Sequence, residues 1–244
     1  MIVFYTTQIS GDTAVLEGEE ARHAIQVLRK KSGDRLRFTD GRGSWFDGYL
    51  LSVGKAQCIV QISERTIIPS RRPYRVCLAV APTKNMERFE WFLEKATEIG
   101  VDSIVPVWCR HSERTTLRPD RLERILIAAM KQSLQPFLPV LEPAISLEMF
   151  LSKKPERDYC CYIAYMEPGP EGRHLFEACH PGKDTLVLVG PEGDFSPEEV
   201  ERCIGVGFKA VSLGRNRLRT ETAAVAAAHC VALVNDLLGP FEKE

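Results

Sequence analysis

Two short segments of the 244-residue chain hold most of the side chains that could do chemistry. Residues 189–196 read V-G-P-E-G-D-F-S, and residues 213–222 read L-G-R-N-R-L-R-T-E-T. Glycine lets a backbone turn sharply and approach a ligand with no Cβ in the way. Arginines just before a helix N-terminus, with Thr220 as the candidate cap, suit a ligand that carries polar and anionic groups. Each segment alone is also what a tight strand-to-helix connection with solvated charges looks like. Two of them, each at the end of a strand, favour a binding site, because open α/β sheets take ligands at the carboxyl ends of their strands.

Other catalytic signatures fail. The chain has no G-x-x-x-x-G-K-[ST] phosphate loop, no H-E-x-x-H and no G-x-S-x-G. Residues 205–210 fit G-x-G-x-x-[GA] as a string, but they follow a helix and precede a strand, the reverse of a dinucleotide-binding turn. The eight cysteines show no C-x-x-C spacing, and most sit in apolar runs. They read as free core thiols of a reducing cytoplasm rather than as a metal site.

The elements that must position the two segments belong to a region after residue 73. Apolar strands are expected at residues 74–80, 103–108, 159–164, 185–189 and 210–213. Helices are expected at 86–99, capped by Asn85 and ended by Gly100, and at 120–135. Ser196-Pro197-Glu198-Glu199 is a capping box that opens a further helix ending near Gly205. The last helix, 221–238, is apolar on nearly every side, with twelve residues from Ala223 to Val234 interrupted only by His229. That run is short of the ~20 residues that span a bilayer, and a buried helix fits it better. Because a helix apolar all round must be covered all round, it is expected to pack on its own sheet and on a two-fold partner, the alternative being complete burial within one subunit under the barrel or the 120–135 helix. Buried strands alternating with helices give a parallel sheet covered on both faces.

Residues 1–72 read differently. Short β-forming runs at 15–16, 36–38, 45–53 and 58–62, with a turn at Asp40-Gly41-Arg42-Gly43 and one helix over 19–29, suggest a small β-barrel. Trp45 and Phe46 are expected in its core, and residues 69–73 as a linker. Nothing at the N-terminus reads as a signal peptide. The whole chain has 32 basic and 33 acidic side chains, which argues against a charge-driven nucleic-acid coat but allows a local basic patch. Residues 1–72 carry a net +3 (11 basic, 8 acidic) and residues 73–244 a net −4 (21 basic, 25 acidic), which points to the barrel for an anion contact, although on charge alone +3 on one small domain reads first as ordinary surface charge.

The stretches GPEGDFSPEEV and LGRNRLRTETAAVAA resemble the signature of the RsmE family of ribosomal RNA methyltransferases, of the SPOUT class. HAIQVLRKKSGD and TDGRG, KNMERFEWFLEKATEIGV, CRHSERTT and AAMKQSLQPFLP are similar to the family pattern in the same order, so the resemblance covers nearly the whole chain. Asp194 departs from it, standing where the family usually has a second glycine. The resemblance implies a PUA-like RNA-binding barrel over 1–72 and a SPOUT α/β domain with a C-terminal trefoil knot over 73–244. It further implies a cytoplasmic homodimer that uses S-adenosylmethionine, and no metal, to methylate N3 of a uridine in 16S ribosomal RNA of the small subunit. The competing reading is a non-catalytic RNA-binding assembly factor that keeps the fold.

On that resemblance, Ala164, Tyr165, Gly190, Pro191, Glu192, Gly193, Leu213, Gly214, Leu218 and Thr220 would hold the cofactor, and a branched side chain at Gly193 would crowd its loop and abolish binding with little loss of fold. Arg219 and Glu221 would orient the uracil or stabilise its developing negative charge. Glu221 reads equally as a first-turn acid serving the helix dipole, and Arg219 as a salt-bridge partner of Glu192 or Glu221. Arg22, His23 and Arg29 in the barrel, and Arg110, His111 and Arg114 after the second α/β strand, are the candidate RNA contacts. No general base is identifiable; His111 and His23 qualify by type only.

Overall fold

The computed structural model describes residues 2–54, 56–68, 72–153, 158–166 and 172–239. The chain forms two compact units. One comprises residues 1–71 together with 127–138, and the other residues 72–126 with 139–244.

The first unit is built on a six-stranded sheet. Its strands are β1 (Val3–Tyr5), β2 (Ile9–Ser10), β3 (Thr13–Glu17), β4 (Arg35–Thr39), β5 (Ser44–Val53) and β6 (Gln57–Ile67), in the order β1-β4-β5-β6-β3-β2. The two edge strands are consecutive in the chain, and only residues 6–8 separate them. The four Cα steps from Tyr5 to Ile9 reach ~14 Å at most, well short of the width of six flat strands, so the sheet has to curl and bring its edges together. Thr6 bridges that gap. Its N–H donates to Thr39 O of β4 (3.1 Å) and its hydroxyl to Val15 O of β3 (2.6 Å).

Inside the curl, Phe38 and Phe46 stack with ring centroids 4.8 Å apart, surrounded by Phe4, Leu16, Leu36, Leu50 and Val60. Trp45 does not share this core. Neighbouring residues on a strand point to opposite faces, so Phe46 turns inward and Trp45 stays half-buried on the other side. The single helix expected over 19–29 is a short α1 (Gly18–Arg22) that widens into a π-helical turn, His23–Val27, and ends at Arg29, whose φ is +52°.

Residues 127–138 join this unit without any sign in the sequence pattern that they should. Gly43 N–H donates to Pro136 O (2.8 Å), Leu138 N–H to Gly41 O (2.9 Å) and Thr39 Oγ1 to Pro136 O (3.2 Å). Lys131 is ion-paired with Glu20. The segment thus lies along the Asp40–Gly43 turn, and the glycines of that turn make room for it.

The second unit contains β7 (Val76–Val80), α2 (Met86–Ile99), β8 (Ser103–Trp108), the start of α3 (Pro119–Gln132), β9 (Val140–Leu141), β10 (Ile145–Ser146) and α4 (Leu147–Ser152). It continues with β11 (Cys160–Ala164), β12 (Arg173–His174), α5 (Leu175–Ala178), β13 (Thr185–Val189), α6 (Pro197–Gly205), β14 (Lys209–Ser212) and α7 (Thr220–Leu238). The sheet runs β10-β8-β7-β13-β11-β14-β12, with β9 also paired to β8, and its pairings are all parallel.

Every residue of β7 and β13 is buried, as expected of central strands covered on both faces. Cys77, Ala79, Leu186 and Leu188 pack with Leu147 of α4 and with Val200 and Cys203 of α6. Helix α7 lies against β7, β13, α2 and α5. It buries Ala224, Ala227, Ala228, Val231 and Val234, but leaves His229, Leu233 and Leu237 exposed. By length and composition α7 could cross a membrane; here one side of it is part of a sheet-bound core.

Of the expected linker, residues 69–71 lie outside the described residues, and Arg72 is firmly held. Its guanidinium donates to Gly100 O (2.7 Å) and Asp102 Oδ2 (2.6 Å) and lies over the Tyr74 ring. All eight cysteines are free thiols, and burial pushes Cys77 up to about 11 and Cys203 to about 12.

Gly43 has a φ of +96°, and a Cβ there would sit 2.5 Å from the Phe137 ring and 2.9 Å from Ile68 O. Gly43→Ala should therefore cost about 2–4 kcal/mol in urea unfolding, combining left-handed strain with overpacking. Gly33→Ala, at φ +90° with open space around it, should cost only ~1 kcal/mol.

Candidate active site

The loops that follow β11, β13 and β14 converge at the carboxyl ends of these adjacent strands. Strand β13 is inserted between β7 and β11, so the direction of chain progression reverses here, where α/β sheets open a crevice. A cavity of about 300 Å³ occupies the place. Ala164, Tyr165 and Met166 line it from the end of β11. Gly190, Pro191, Glu192 and Asp194 line it from the loop after β13. Leu213, Gly214, Asn216, Arg217, Leu218 and Arg219 come from the loop after β14, and Thr220 and Ala223 from α7.

The loops are wired to one another. Glu192 accepts the Lys84 N–H on Oε1 (2.9 Å), and Arg217 reaches Glu192 O (3.5 Å). Arg110 donates its N–H to Glu199 (2.8 Å) and its guanidinium to Glu198 (3.2 Å). The His111 Nδ1 lies 3.0 Å from Asp194 O. Below the cavity floor the buried Phe195 ring fills the space beside Gly190, where a Cβ would come within 2.9 Å of it.

Two of the candidate ligand residues fall elsewhere. Gly193 is not on the cavity wall; a Cβ there would meet the His111 Cβ at 3.0 Å. Crowding at Gly193 would therefore press on the loop after β8. Glu221 is also off the wall. It is 7 % exposed and its Oε1 lies 3.8 Å from Arg88 Nε on α2, while its Oε2 is buried without a hydrogen-bond partner among the described residues.

Thr220 is the first residue of α7 rather than its cap. The N-cap is Arg219, which makes no capping bond with its side chain. The first amides of α7 are thus left open beside the cavity, a favourable place for polar or anionic groups. The Arg219 side chain is exposed on the wall and has no partner among the described residues. Its candidate partners are engaged elsewhere, Glu192 by Lys84 and Glu221 by Arg88.

Asp194 has a φ of +61° and lines the cavity. Aspartate tolerates the left-handed region better than most residues, and here Oδ1 accepts the Phe195 N–H (2.8 Å). Ala223 is on the wall although the sequence did not single it out as a ligand contact. Ala223 stands three residues after Thr220, so helical spacing from a known wall residue is the signal that could have found it.

Among the candidate RNA contacts, Arg22 and Arg29 are exposed, whereas His23 is half-buried with its ring 5.8 Å from Phe4. Arg110 and His111 are exposed despite their bonds to α6 and Asp194. Arg114 is committed, donating twice to Lys84 O (3.0 and 3.2 Å). Among the described residues no cluster of three or more His, Cys, Asp or Glu could hold a metal ion.

Residues 70–232 match the RNA methyltransferase domain family, and residues 16–63 match the RNA methyltransferase PUA domain. The chain therefore belongs to the RNA methyltransferases of this α/β class with a PUA domain ahead of the catalytic one. Ribosomal RNA small subunit methyltransferase E of Rickettsia conorii is 30% identical over 85% of this chain and 84% of its own length. The crystal structure of a probable rRNA-methyltransferase from Porphyromonas gingivalis is 41% identical, with a TM-score of 0.89 over 98% of this chain and 100% of that one. The Neisseria gonorrhoeae ribosomal RNA small subunit methyltransferase E, solved with S-adenosyl methionine bound, is 28% identical, with a TM-score of 0.83 over 97% and 99%. Within the class, the chain is a member of the RsmE family.

At φ +61° an alanine is strained and a glycine is not. Asp194→Ala should lower stability by about 1 kcal/mol in thermal melts, while Asp194→Gly should stay within ~0.5 kcal/mol of the parent.

Proposed function

We propose that this protein transfers a methyl group from S-adenosylmethionine to N3 of a uridine in 16S ribosomal RNA, acting on the small ribosomal subunit in the cytoplasm. S-adenosylmethionine, when bound, supplies the methyl group on a sulfonium, an electrophile strong enough to need no metal. The cavity suits it. The wall combines apolar surface from Ala164, Met166, Leu213, Leu218 and Ala223 with the polar groups of Glu192, Asn216, Arg217, Arg219 and Thr220, a mixture that fits a ligand with both apolar and charged parts. The relatives' names and the ligand in one neighbour support the same assignment.

The observation that carries the reading is the uncommitted Arg219 guanidinium at the open N-terminus of α7. A uracil losing its N3 proton gains negative charge, and a fixed cation beside it lowers the cost of that charge. Glu221 acts through Arg88 as a positioning residue, holding the first turn of α7 against α2 so that Arg219 and Thr220 keep their places on the wall. The remaining work is in-line alignment of donor and acceptor, done by the loops after β11, β13 and β14.

The dimer and the knot belong to this same reading. Support for the dimer is the outer side of α7, where Leu233 and Leu237 are exposed beside small residues that permit close approach. Support for the knot is the late strand β13 lodged between β7 and β11. RNA contact rests on Arg22, His23 and Arg29 in the first unit and on Arg110 and His111 in the second, with Arg114 holding its loop to Lys84.

The test is transfer of labelled methyl to small subunits from cells lacking the protein, with the modified base located by mass spectrometry. Arg219→Ala should lower the transfer rate about a hundredfold with little change in cofactor affinity by calorimetry. Gly190→Val, which drives a branched side chain into the buried Phe195 ring, should instead abolish cofactor binding by displacing the loop after β13. A wild-type protein that binds the particles but transfers nothing would leave the assembly-factor reading standing.

Arg110→Ala should flatten the salt dependence of RNA binding by about one unit of log–log slope and leave cofactor affinity alone. Arg114→Ala should weaken both affinities, because the Lys84 loop it holds also carries the bond to Glu192. Filter binding at several salt concentrations, paired with calorimetry, separates the two.

A further inference from the structure

The cavity formed by the loops after β11, β13 and β14 carries four charged residues, Glu192 and Asp194 against Arg217 and Arg219. Three of them have a partner or a task. Glu192 accepts the Lys84 N–H, Arg217 reaches Glu192 O, and Arg219 is the cation set against the uracil. Asp194 adds a unit negative charge to the wall that none of those tasks uses.

That charge is held in place. The Asp194 N–H donates to Pro191 O (3.0 Å), and its main-chain O faces His111 Nδ1 (3.0 Å). Its Oδ1 accepts the N–H of the buried Phe195 (2.8 Å). Backbone and carboxylate are thus fixed before any ligand arrives, and a group ordered in advance loses no freedom on binding. The residue is half-buried, so water screens its charge only in part.

S-adenosylmethionine differs from its demethylated product, S-adenosylhomocysteine, by a methyl group and a positive charge. The donor has a sulfonium, an ammonium and a carboxylate. In the product a neutral thioether replaces the sulfonium, and the remaining charges cancel. Taken as a sphere, a cavity of about 300 Å³ is ~8 Å across, so a charge inside it cannot lie far from any wall residue. At such separations, with an effective dielectric between those of protein and water, a unit charge is worth roughly tenfold in affinity.

We propose that Asp194 sets the preference of this cavity for the charged methyl donor over the neutral spent product, a role that rests on the cavity being the S-adenosylmethionine site. The carboxylate attracts the sulfonium while the methyl group is attached. Once the methyl has left, that part of the attraction is gone, and a fresh donor displaces the product. A wall with glycine at 194 would set Glu192 alone against two arginines and would disfavour the donor relative to the product.

Asp194 also has a backbone role, at φ +61° with Oδ1 on the Phe195 N–H, so charge has to be separated from shape. Asparagine keeps the side-chain oxygen and tolerates the left-handed region, and Asp194→Asn therefore removes the charge alone. The full-length wild type and this variant are titrated in a calorimeter with S-adenosylmethionine, S-adenosylhomocysteine and sinefungin. Sinefungin bears an amine, protonated at neutral pH, where the donor has its sulfonium methyl. Asp194→Asn should bind the donor and sinefungin roughly tenfold more weakly and keep S-adenosylhomocysteine within about twofold of wild type. An equal loss for all three ligands would reduce Asp194 to a loop-shaping residue, and no loss for any would mean that its charge does not reach the ligand; either result overturns the proposal. A wild-type chain that binds none of the three overturns the cavity's assignment itself, and the proposal with it.

Discussion

Parallel pairing of β13 with β7 on one side and β11 on the other is the constraint on which the rest of the second unit depends. Five consecutive register pairs run along each side, and all five residues of β13 are buried. A one-residue slip would exchange its two covered faces and set every side chain against neighbours packed for another. Its end point, Val189, is therefore fixed, and so is the loop that leaves it. Gly190 turns over the Phe195 ring, Glu192 reaches Lys84, and the Ser196 capping box starts α6. The geometry of the cavity is a consequence of where one buried strand is forced to stop.

The loop after β8 depends on the same strand at one remove. Arg110 and His111 bind Glu198, Glu199 and Asp194, which belong to the segment that β13 positions. Residues proposed to meet RNA are thus held by the segment that runs from the cavity wall into α6. The Arg110 main-chain N–H on Glu199 and the His111 ring beside Asp194 O hold that loop in place, and neither tie needs the Arg110 guanidinium.

Much of this was legible in the sequence where a single residue type has a single physical use. Asn85 and Gly100 delimit α2 to the residue, since one caps amides and the other takes φ +101°. Ser196 through Glu199 mark the start of α6 in the same way. Spacing also gathered the three cavity loops, because strand ends in a parallel sheet share one edge. What could not be read was direction. Gly193 and Glu221 sit in the right segments, but their neighbours on the wall are Asp194 and Ala223, and only the twist of the loop and the phase of α7 decide which faces inward. Trp45 was misplaced by composition against a strict two-residue alternation. The half-buried His23 and the committed Arg114 show the same limit, since a basic string does not tell which of its members are already bonded within the fold.

The attachment of residues 127–138 to the first unit sets an order on biosynthesis. The curled sheet of that unit is made of residues 3–67, yet the segment that fills the Asp40–Gly43 turn, with Phe137 beneath Gly43, lies some seventy residues further on. On a translating ribosome the sheet emerges first and must wait, with that turn uncovered, while β7, α2 and β8 are made. The N-terminal unit is therefore finished by a piece of chain born in the middle of the next one, and the two units reach their native states as an interleaved sequence of events rather than one after the other.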